Sequence, residues 1–255
     1  VFTDDSSGYF KVSKMALCTI PDGDGQSVEV VGNPKDEYIL AFDPSWSESE
    51  SSDDFAMLVI KLNRDTRKGT VVHSYGLSGA NLKTHIKYAA YLLTHFNIVA
   101  VVGDYNGGVQ FLNSCNESEI FKKKNLKLGV IEADLDKAKD YERNLGRLKN
   151  QYNLSQKNYN IQRKSNVPIK ELKFIRNDSN ERGPAGARMI DFVEHQKDMM
   201  DLIKVQCALI QITTSLQGTQ SFDLPRNLRK QTGPDKARKD SYSALVLGNW
   251  AMNVF

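Results

Sequence analysis

Three aspartates stand where apolar stretches give way to polar ones. Asp43 closes the run Tyr38, Ile39, Leu40, Ala41, Phe42; Asp104 closes the run 98–103; Asp240 lies near the start of an apolar C-terminal segment. A fourth, Asp54, follows Asp43 across a short polar loop, with Asp53 beside it. Carboxylates gathered in one place repel and raise one another's pKa, so such a cluster needs cations. Mg²⁺ and Mn²⁺ suit it, because both take carboxylate oxygens and keep several waters. Two such ions, roughly 3.5–4 Å apart, activate a water and stabilise the leaving oxygen in phosphodiester hydrolysis. Each aspartate taken alone equally suits a turn or a helix cap. All three, in this order of elements, point to metal chemistry, with Asp43, Asp104 and Asp240 as ligands to one or two ions. Asp54 is expected to bind metal directly or through water, and Asp53 to point the opposite way in a regular strand.

The elements that must position these residues can be read from periodicity. Residues 21–37 are rich in Gly, Asp, Asn and Pro and read as loops around a short strand at 27–31. The runs 38–43, 55–62 and 70–75 read as three strands joined by short connections, an antiparallel meander. Leu82, Ile86, Ala89, Ala90, Leu93 and Phe96 recur at helical spacing, which predicts a helix over 81–96 with Asn81 as its cap. The continuous apolar run 98–103 then reads as a central parallel strand covered on both faces. Gly107 and Gly108 permit a tight turn into another helix. Further on, the sequence predicts a strand at 126–132, a helix over 134–151, a polar loop over 150–165 and a strand at 170–175. A long helix over 187–213 follows, with Met189, Val193, Met200, Ile203, Cys207 and Ile210 as its core stripe. Residues 217–233 read as loop and 236–255 as a terminal helix. The fold class is therefore α/β: a meander leading into parallel β-α units, flanked by helices. Asp43 at the end of the 38–43 strand and Asp104 at the end of the 98–103 strand could point into one cleft if these strands are neighbours, and a helix packed on that sheet can deliver Asp240 to it.

Composition is ordinary for a globular chain, with 40% hydrophobic and 25% charged residues. The net charge of +3 is unevenly spread. Residues 1–60 are acidic, whereas 121–176 and 226–239 are basic, a pattern that suits a protein holding both metal ions and a polyanion. Lys122, Lys123, Lys124, Arg226, Arg229, Lys230, Lys236 and Lys239 are the candidate phosphate contacts; each singly also reads as an ordinary surface charge. Cys18, Cys115 and Cys207 are too far apart for a CxxC pair or a zinc pattern and read as small buried or half-buried thiols. His73, His85, His95 and His195 are scattered and read as structural or surface residues. Trp46 and Trp250 read as packing residues. Residues 76–84 are glycine-containing but lack Walker A spacing. No apolar run is long enough to span a membrane. The opening Val1, Phe2, Thr3 is neither an initiator Met nor a secretory signal, which reads as a fragment with a partner domain elsewhere.

The run 39–45 followed by Asp53, Asp54, Phe55 and Ala56 resembles the first nuclease motif of viral large terminase subunits. Val99 to Asp104 resembles the second motif, an acid ending the central strand; some relatives carry Glu where this chain has Asp104. Residues 239–245 resemble the third, an acid ahead of a small-residue helix. The likeness is weakest over 111–185 and the first 35 residues. It implies a ribonuclease H-like fold and the C-terminal nuclease half of a bacteriophage-type terminase. That enzyme is a metal-dependent endonuclease cutting concatemeric double-stranded DNA during genome packaging. It further implies Mg²⁺ or Mn²⁺ at Asp43, Asp104, Asp240 and Asp54, double-stranded DNA as substrate, and an ATPase motor domain in the parent chain. The portal protein and the small terminase subunit are further candidate partners. The location would be the host cytoplasm, or the nucleus of a eukaryotic host. The expected organisation is one nuclease domain over 1–255: an extension at 1–35, a core at 36–110 and 186–255, and an elaborated basic region at 111–185. Other readings are a Holliday-junction resolvase or transposase-like nuclease, a non-catalytic DNA-binding assembly module, and an actin-like ATPase, against which the missing phosphate loop counts.

Overall fold

The computed structural model of the protein describes residues 8–16, 18–20, 28–65, 68–103, 105–126, 128, 172–175, 187–218, 220–233 and 236–254. The chain enters through α1 (Val12–Ala16) and the two-residue strand β1 (Thr19–Ile20). The meander follows as β2 (Glu37–Asp43), β3 (Phe55–Asn63) and β4 (Lys68–Leu77), each antiparallel to the next. Residues 38–42 and 55–60 are buried without alternation, so β2 and β3 are covered on both faces. Helix α2 (Leu82–His95) begins at Asn81, whose side chain accepts from the Thr84 amide, the cap expected from the sequence. Next come β5 (Ile98–Gly103), α3 (Tyr105–Glu117) and α4 (Glu119–Lys124). After a short strand β6 (Leu172–Ile175), the long helix α5 (Ala187–Leu209) leads into a hairpin of β7 (Gln211–Thr214) and β8 (Gln220–Asp223). The chain then forms α6 (Arg226–Arg229) and the final helix α7 (Asp240–Val254).

The described strands of the main sheet lie in the order β1-β6-β4-β3-β2-β5. β5 is parallel to β2, with Phe42 opposite Gly103; β6 is parallel to β4 and β1 to β6. An antiparallel meander whose first strand takes a parallel neighbour after a crossover helix is the α/β arrangement expected from the sequence.

Side-chain alternation divides the core in two. Ile39, Ala41, Ala56, Leu58, Ile60, Ala100 and Val102 face α5 and α7. Tyr38, Leu40, Phe42, Phe55, Met57 and Val59 face α2, α3 and α4. The period-2 geometry of a strand makes this division automatic. Among the described residues, no helix is long and apolar enough to cross a membrane.

Several expectations change. Residues 28–31 form no strand; Glu29 instead donates its amide to Val72 O, running beside β4 without ladder pairing. β5 is an edge strand among the described residues, with Val99 exposed, because nothing described pairs along its outer side. The long helix stops at Leu209, where β7 begins, and the hairpin replaces the first part of the expected 217–233 loop. Both changes come from pairing of 211–214 with 220–223, a contact that helical periodicity does not see. The terminal helix starts at Asp240, four residues later than expected, because residues 236–239 are held extended by side-chain contacts described below. The glycines at 107 and 108 lie within α3, and Gly107 (φ +97°) leaves room for the Trp46 indole, which a side chain there would strike. Leu126 and Leu128 lie outside any strand; the rest of the expected 126–132 strand, the 134–151 helix and the 150–165 loop fall outside the described residues.

Candidate active site

Strand alternation carries Asp43 and Asp54 to the same side of the sheet. Asp43 continues the parity of Ile39 and Ala41, and Asp54 that of Ala56 and Leu58, all on the α7 face. Asp43 is half-buried at the end of β2 and sits opposite Ala56 in register. Asp54 lies one residue ahead of β3 and is only 8% exposed, whereas the side chain of Asp53 is 67% exposed. The opposed directions expected for these neighbours therefore hold.

Helix α7 brings the third acid. Ser241, Ala244, Gly248 and Ala251 form a stripe of small residues at helical spacing. At Gly248 a β-carbon would collide with Ile60 Cδ1 and come within 3.2 Å of Ala41 Cβ, so the stripe lets α7 lie close on β2 and β3. That close approach puts Asp240, 7% exposed, against the start of β3, where its Oδ2 accepts a hydrogen bond of 2.8 Å from the Asp54 amide. Gln206 on α5 fixes the first turn of α7: its Oε1 accepts from the Ser241 amide at 2.9 Å and the Tyr242 amide at 3.2 Å. It thereby satisfies helix-start donors that have no partner within the helix.

Burial dominates the electrostatics of the two carboxyls, with neighbouring charges acting in both directions. Burial pushes the Asp240 carboxyl up to about 7; the Asp54 amide and Lys236 work against that rise, and the charges of Asp53 and Asp54 add to it. Burial also raises the Asp54 carboxyl, although the Arg238 guanidinium opposes it. Arg238 Nε lies 3.3 Å from Asp54 Oδ1, and Lys236 Nζ 2.7 Å from Asp53 Oδ1. Ser241 Oγ and Gln206 Nε2, both buried close by, have no hydrogen-bond partner among the described residues.

Beside Asp240 opens a cleft of about 300 Å³ lined by Arg229, Lys236, Arg238 and Lys239 together with Asp53 and Asp223. Asp223 accepts from Lys239 at 2.7 Å and Arg229 at 3.2 Å. Burial would raise its carboxyl, but the Lys239 hydrogen bond and charge, with the Leu224 amide and Arg229, bring it below its ordinary value.

Of the expected site residues, the fold brings together Asp54 and Asp240, with Asp43 at the neighbouring strand end. Asp104 falls outside the described residues; Gly103, the residue before it, pairs with Phe42, the residue before Asp43. Among the described residues, no group of three or more His, Cys, Asp or Glu is arranged to hold a metal ion. Of the expected phosphate contacts, Arg229, Lys236 and Lys239 line the cleft, and Arg226 and Lys230 lie exposed on either side of Arg229's turn. Lys122, Lys123 and Lys124 end α4 in the opposite layer, away from α7. His73, His85 and the three cysteines are buried. His73 bonds Glu29 O and Tyr88 Oη, and burial lowers it to about 4, which fits a structural role.

Sequence reasoning missed two residues. Arg238 is separated from Asp240 by one residue, and its basic character was counted only as bulk charge. Gln206, like Gln196, falls on the buried stripe of α5, where a polar side chain must find a buried partner; that placement was the available signal.

The carboxylate pair, the strand order and the helix that completes the site together permit comparison with known structures. The chain aligns over 96% of its length with the crystal structure of the HK97 bacteriophage large terminase, at 11% identity and a TM-score of 0.52. The fold is ribonuclease H-like, and it is shared with a phage large terminase. The chain covers 43% of the HK97 protein, so it spans less than half of that length. The nuclease domain of the Thermus phage P74-26 large terminase is similar over 92% of each chain, at 12% identity and a TM-score of 0.49. The large terminase nuclease of thermophilic phage G20c with bound magnesium is similar over 93% of this chain and 94% of that one, at 11% identity and a TM-score of 0.46. Neither a protein-family model nor a curated protein matches the chain.

Proposed function

We propose that this chain is a metal-dependent endonuclease that cuts double-stranded DNA, the nuclease half of a large terminase. The observation that carries the reading is the pair of buried carboxylates, Asp54 ahead of β3 and Asp240 at the start of α7, beside a cation-lined cleft. The donor set fits Mg²⁺ or Mn²⁺: the oxygens are hard, and Asp240, raised mainly by burial, also feels the charges of Asp53 and Asp54, which a divalent ion would offset.

In this reading Asp43, Asp104 and Asp240 hold one or two ions and Asp54 assists as a ligand or through water. Bound metal supplies water activation and neutralises charge developing on the phosphodiester. The chain's own residues do the rest. Gln206 and the Asp54 amide orient Asp240, and Arg229, Lys236 and Lys239 exchange their carboxylate partners for DNA phosphates. Lys122, Lys123, Lys124, Arg226 and Lys230 extend that grip over a longer stretch of duplex. The whole packaging enzyme would add an ATPase motor domain, with the portal protein and small subunit as partners in the host cytoplasm. Residues 36–110 and 186–255 make the catalytic core, 1–35 an extension and 111–185 an elaboration.

The deciding experiment is cleavage of supercoiled plasmid in Mn²⁺, Mg²⁺ or EDTA, beside Asp43→Asn and Asp240→Asn. Nicking and linearisation that need metal and vanish in both variants are expected. A folded wild-type protein that binds DNA and cuts it under no condition would instead identify a non-catalytic assembly module.

A further inference from the structure

Arg238 ties the two loops at the carboxylate end of the sheet to the start of α7. Its Nη2 donates to Glu50 O at 2.9 Å and to Ser78 Oγ at 3.4 Å, and its Nε donates to Ser52 O at 3.1 Å. The same Nε faces Asp54 Oδ1 at 3.3 Å, and the side chain is only 16% exposed. Glu50, Ser52 and Asp54 belong to the β2–β3 connection; Ser78 belongs to the β4–α2 connection. These two loops also touch directly. Gly79 has φ +69°, and a β-carbon there would stand 2.9 Å from Glu50 Cγ and 3.1 Å from its Cα and N, so the Glu50 backbone is seated on a glycine. The guanidinium thus closes a three-way junction whose third member is the chain two residues ahead of Asp240.

We propose that Arg238 is a positioning residue for metal binding: it holds the loop bearing Asp54 at a fixed spacing from Asp240. The inference rests on the reading of Asp54 and Asp240 as metal-site residues. The planar fork of arginine matches the task. It offers five donors in a fixed geometry, so one side chain serves carbonyl, hydroxyl and carboxylate acceptors from different directions, which a lysine ammonium on a flexible stem does not reproduce. Arg238 engages Oδ1 of Asp54, and the Ser78 side chain, itself held by Arg238 Nη2, is a further hydrogen-bond partner of the same carboxylate. The Asp54 amide and the Asp53–Lys236 pair also join the polar 44–54 loop to the chain around Asp240, but neither reaches the 78–81 connection as the guanidinium does.

The test uses Arg238→Gln and Arg238→Lys beside the wild type and Asp54→Asn. Two readouts are needed: Mn²⁺ affinity by calorimetry, and hydrogen exchange of the amides at 50–54. In Arg238→Gln, the Mn²⁺ dissociation constant is expected to rise at least about tenfold, the size seen when a group orienting a metal ligand is lost. The 50–54 amides should exchange faster while those of β2 and β3 keep their protection. Arg238→Lys should recover part of the affinity, and Asp54→Asn should lose affinity while its 50–52 amides stay protected. Wild-type Mn²⁺ affinity and exchange in Arg238→Gln, or tighter Mn²⁺ binding as expected of a displaced competitor cation, would overturn the proposal. A wild-type protein that binds no Mn²⁺ would overturn the metal-site reading itself; in that case the exchange data still decide whether Arg238 ties the loop.

Discussion

The two faces of the central sheet are built from different materials. The α2–α3–α4 face is filled by large aromatics: Phe42, Phe55 and Phe111 pack with centroids 4.7–6.4 Å apart, and Tyr38 lies edge-on to Phe96 at 5.2 Å. The α7 face opposes small residues to one another, Ala41 and Ala56 against Ala244, Gly248 and Ala251, and collects the carboxylates at one end. Aromatic bulk holds a helix layer at a distance and buries a large area. Small side chains let a helix backbone come close, and closeness is what a site assembled from a strand and a helix requires. Both faces therefore carry stability, and the second carries the chemistry as well. The second also carries the cost: uncompensated buried charge in the absence of metal.

That division can be broken from the aromatic side first. Phe111→Ala should lose about 3–5 kcal/mol of stability, the usual cost of emptying a buried aromatic site. Denaturant titration measures that loss. Mn²⁺ affinity of the molecules that remain folded should be unchanged; a matching loss of affinity would show that the faces are not independent.

Asp240→Asn comes next and has the opposite sign. The native carboxyl, at about 7, binds its proton more tightly than the unfolded one, near 3.8. The native state therefore holds more protons between those values, and the contribution is fully present below about pH 4 and lost as pH rises through about 7. The variant should flatten that fall and be more stable than wild type in EDTA at pH 8 by on the order of 2–4 kcal/mol. Thermal melts from pH 4 to 8 with EDTA measure it. Saturating Mg²⁺ should stabilise the wild type and not the variant.

Gly248→Val is a smaller mechanical change. Its branched side chain meets Ile60 and Ala41, so overpacking should cost about 1–3 kcal/mol. The same change should lift α7 and reduce cleavage by the folded fraction more than Phe111→Ala does, which paired melts and plasmid assays can compare.

The smallest expected effect separates the basic residues by face. Lys239→Ala, at the cleft, should lower the slope of log affinity against log salt for duplex DNA by about one unit. Lys122→Ala, in the α4 layer, should change affinity at cut-length duplex less than Lys239→Ala does. Equal effects would place both layers on the DNA path.

Much of this was legible along the chain. The runs 38–43, 55–62 and 70–75 are rich in apolar and β-branched residues and bounded by polar connections, so local pattern and tertiary pairing agree. Helix α2 announces itself through Asn81 and its apolar stripe. Asp43 and Asp240 stood out because each is an acid at the border of an apolar element. The hairpin of β7 and β8 was not legible, because its first strand continues an apolar helical stripe and Ile210 is buried under both descriptions. The pairing of β6 with β4 and β1 was not legible either, because parallel pairing joins segments about a hundred residues or more apart.

Residue type and spacing fixed which groups are available: the acids, the small-residue stripe ahead of which Asp240 stands, and the basic stretches. Only the tertiary structure decided how they meet. Strand parity puts Asp43 and Asp54 on one face while Asp53, one residue away, points to solvent. The Asp240–Asp54 contact spans 186 residues, and the Arg238 contact with the Glu50 carbonyl spans 188. A local pattern carries information over one helical turn or a few strand residues. The spacing between carboxylates, the burial that raises their proton affinity and the guanidinium that ties their loops together arise only when distant segments pack.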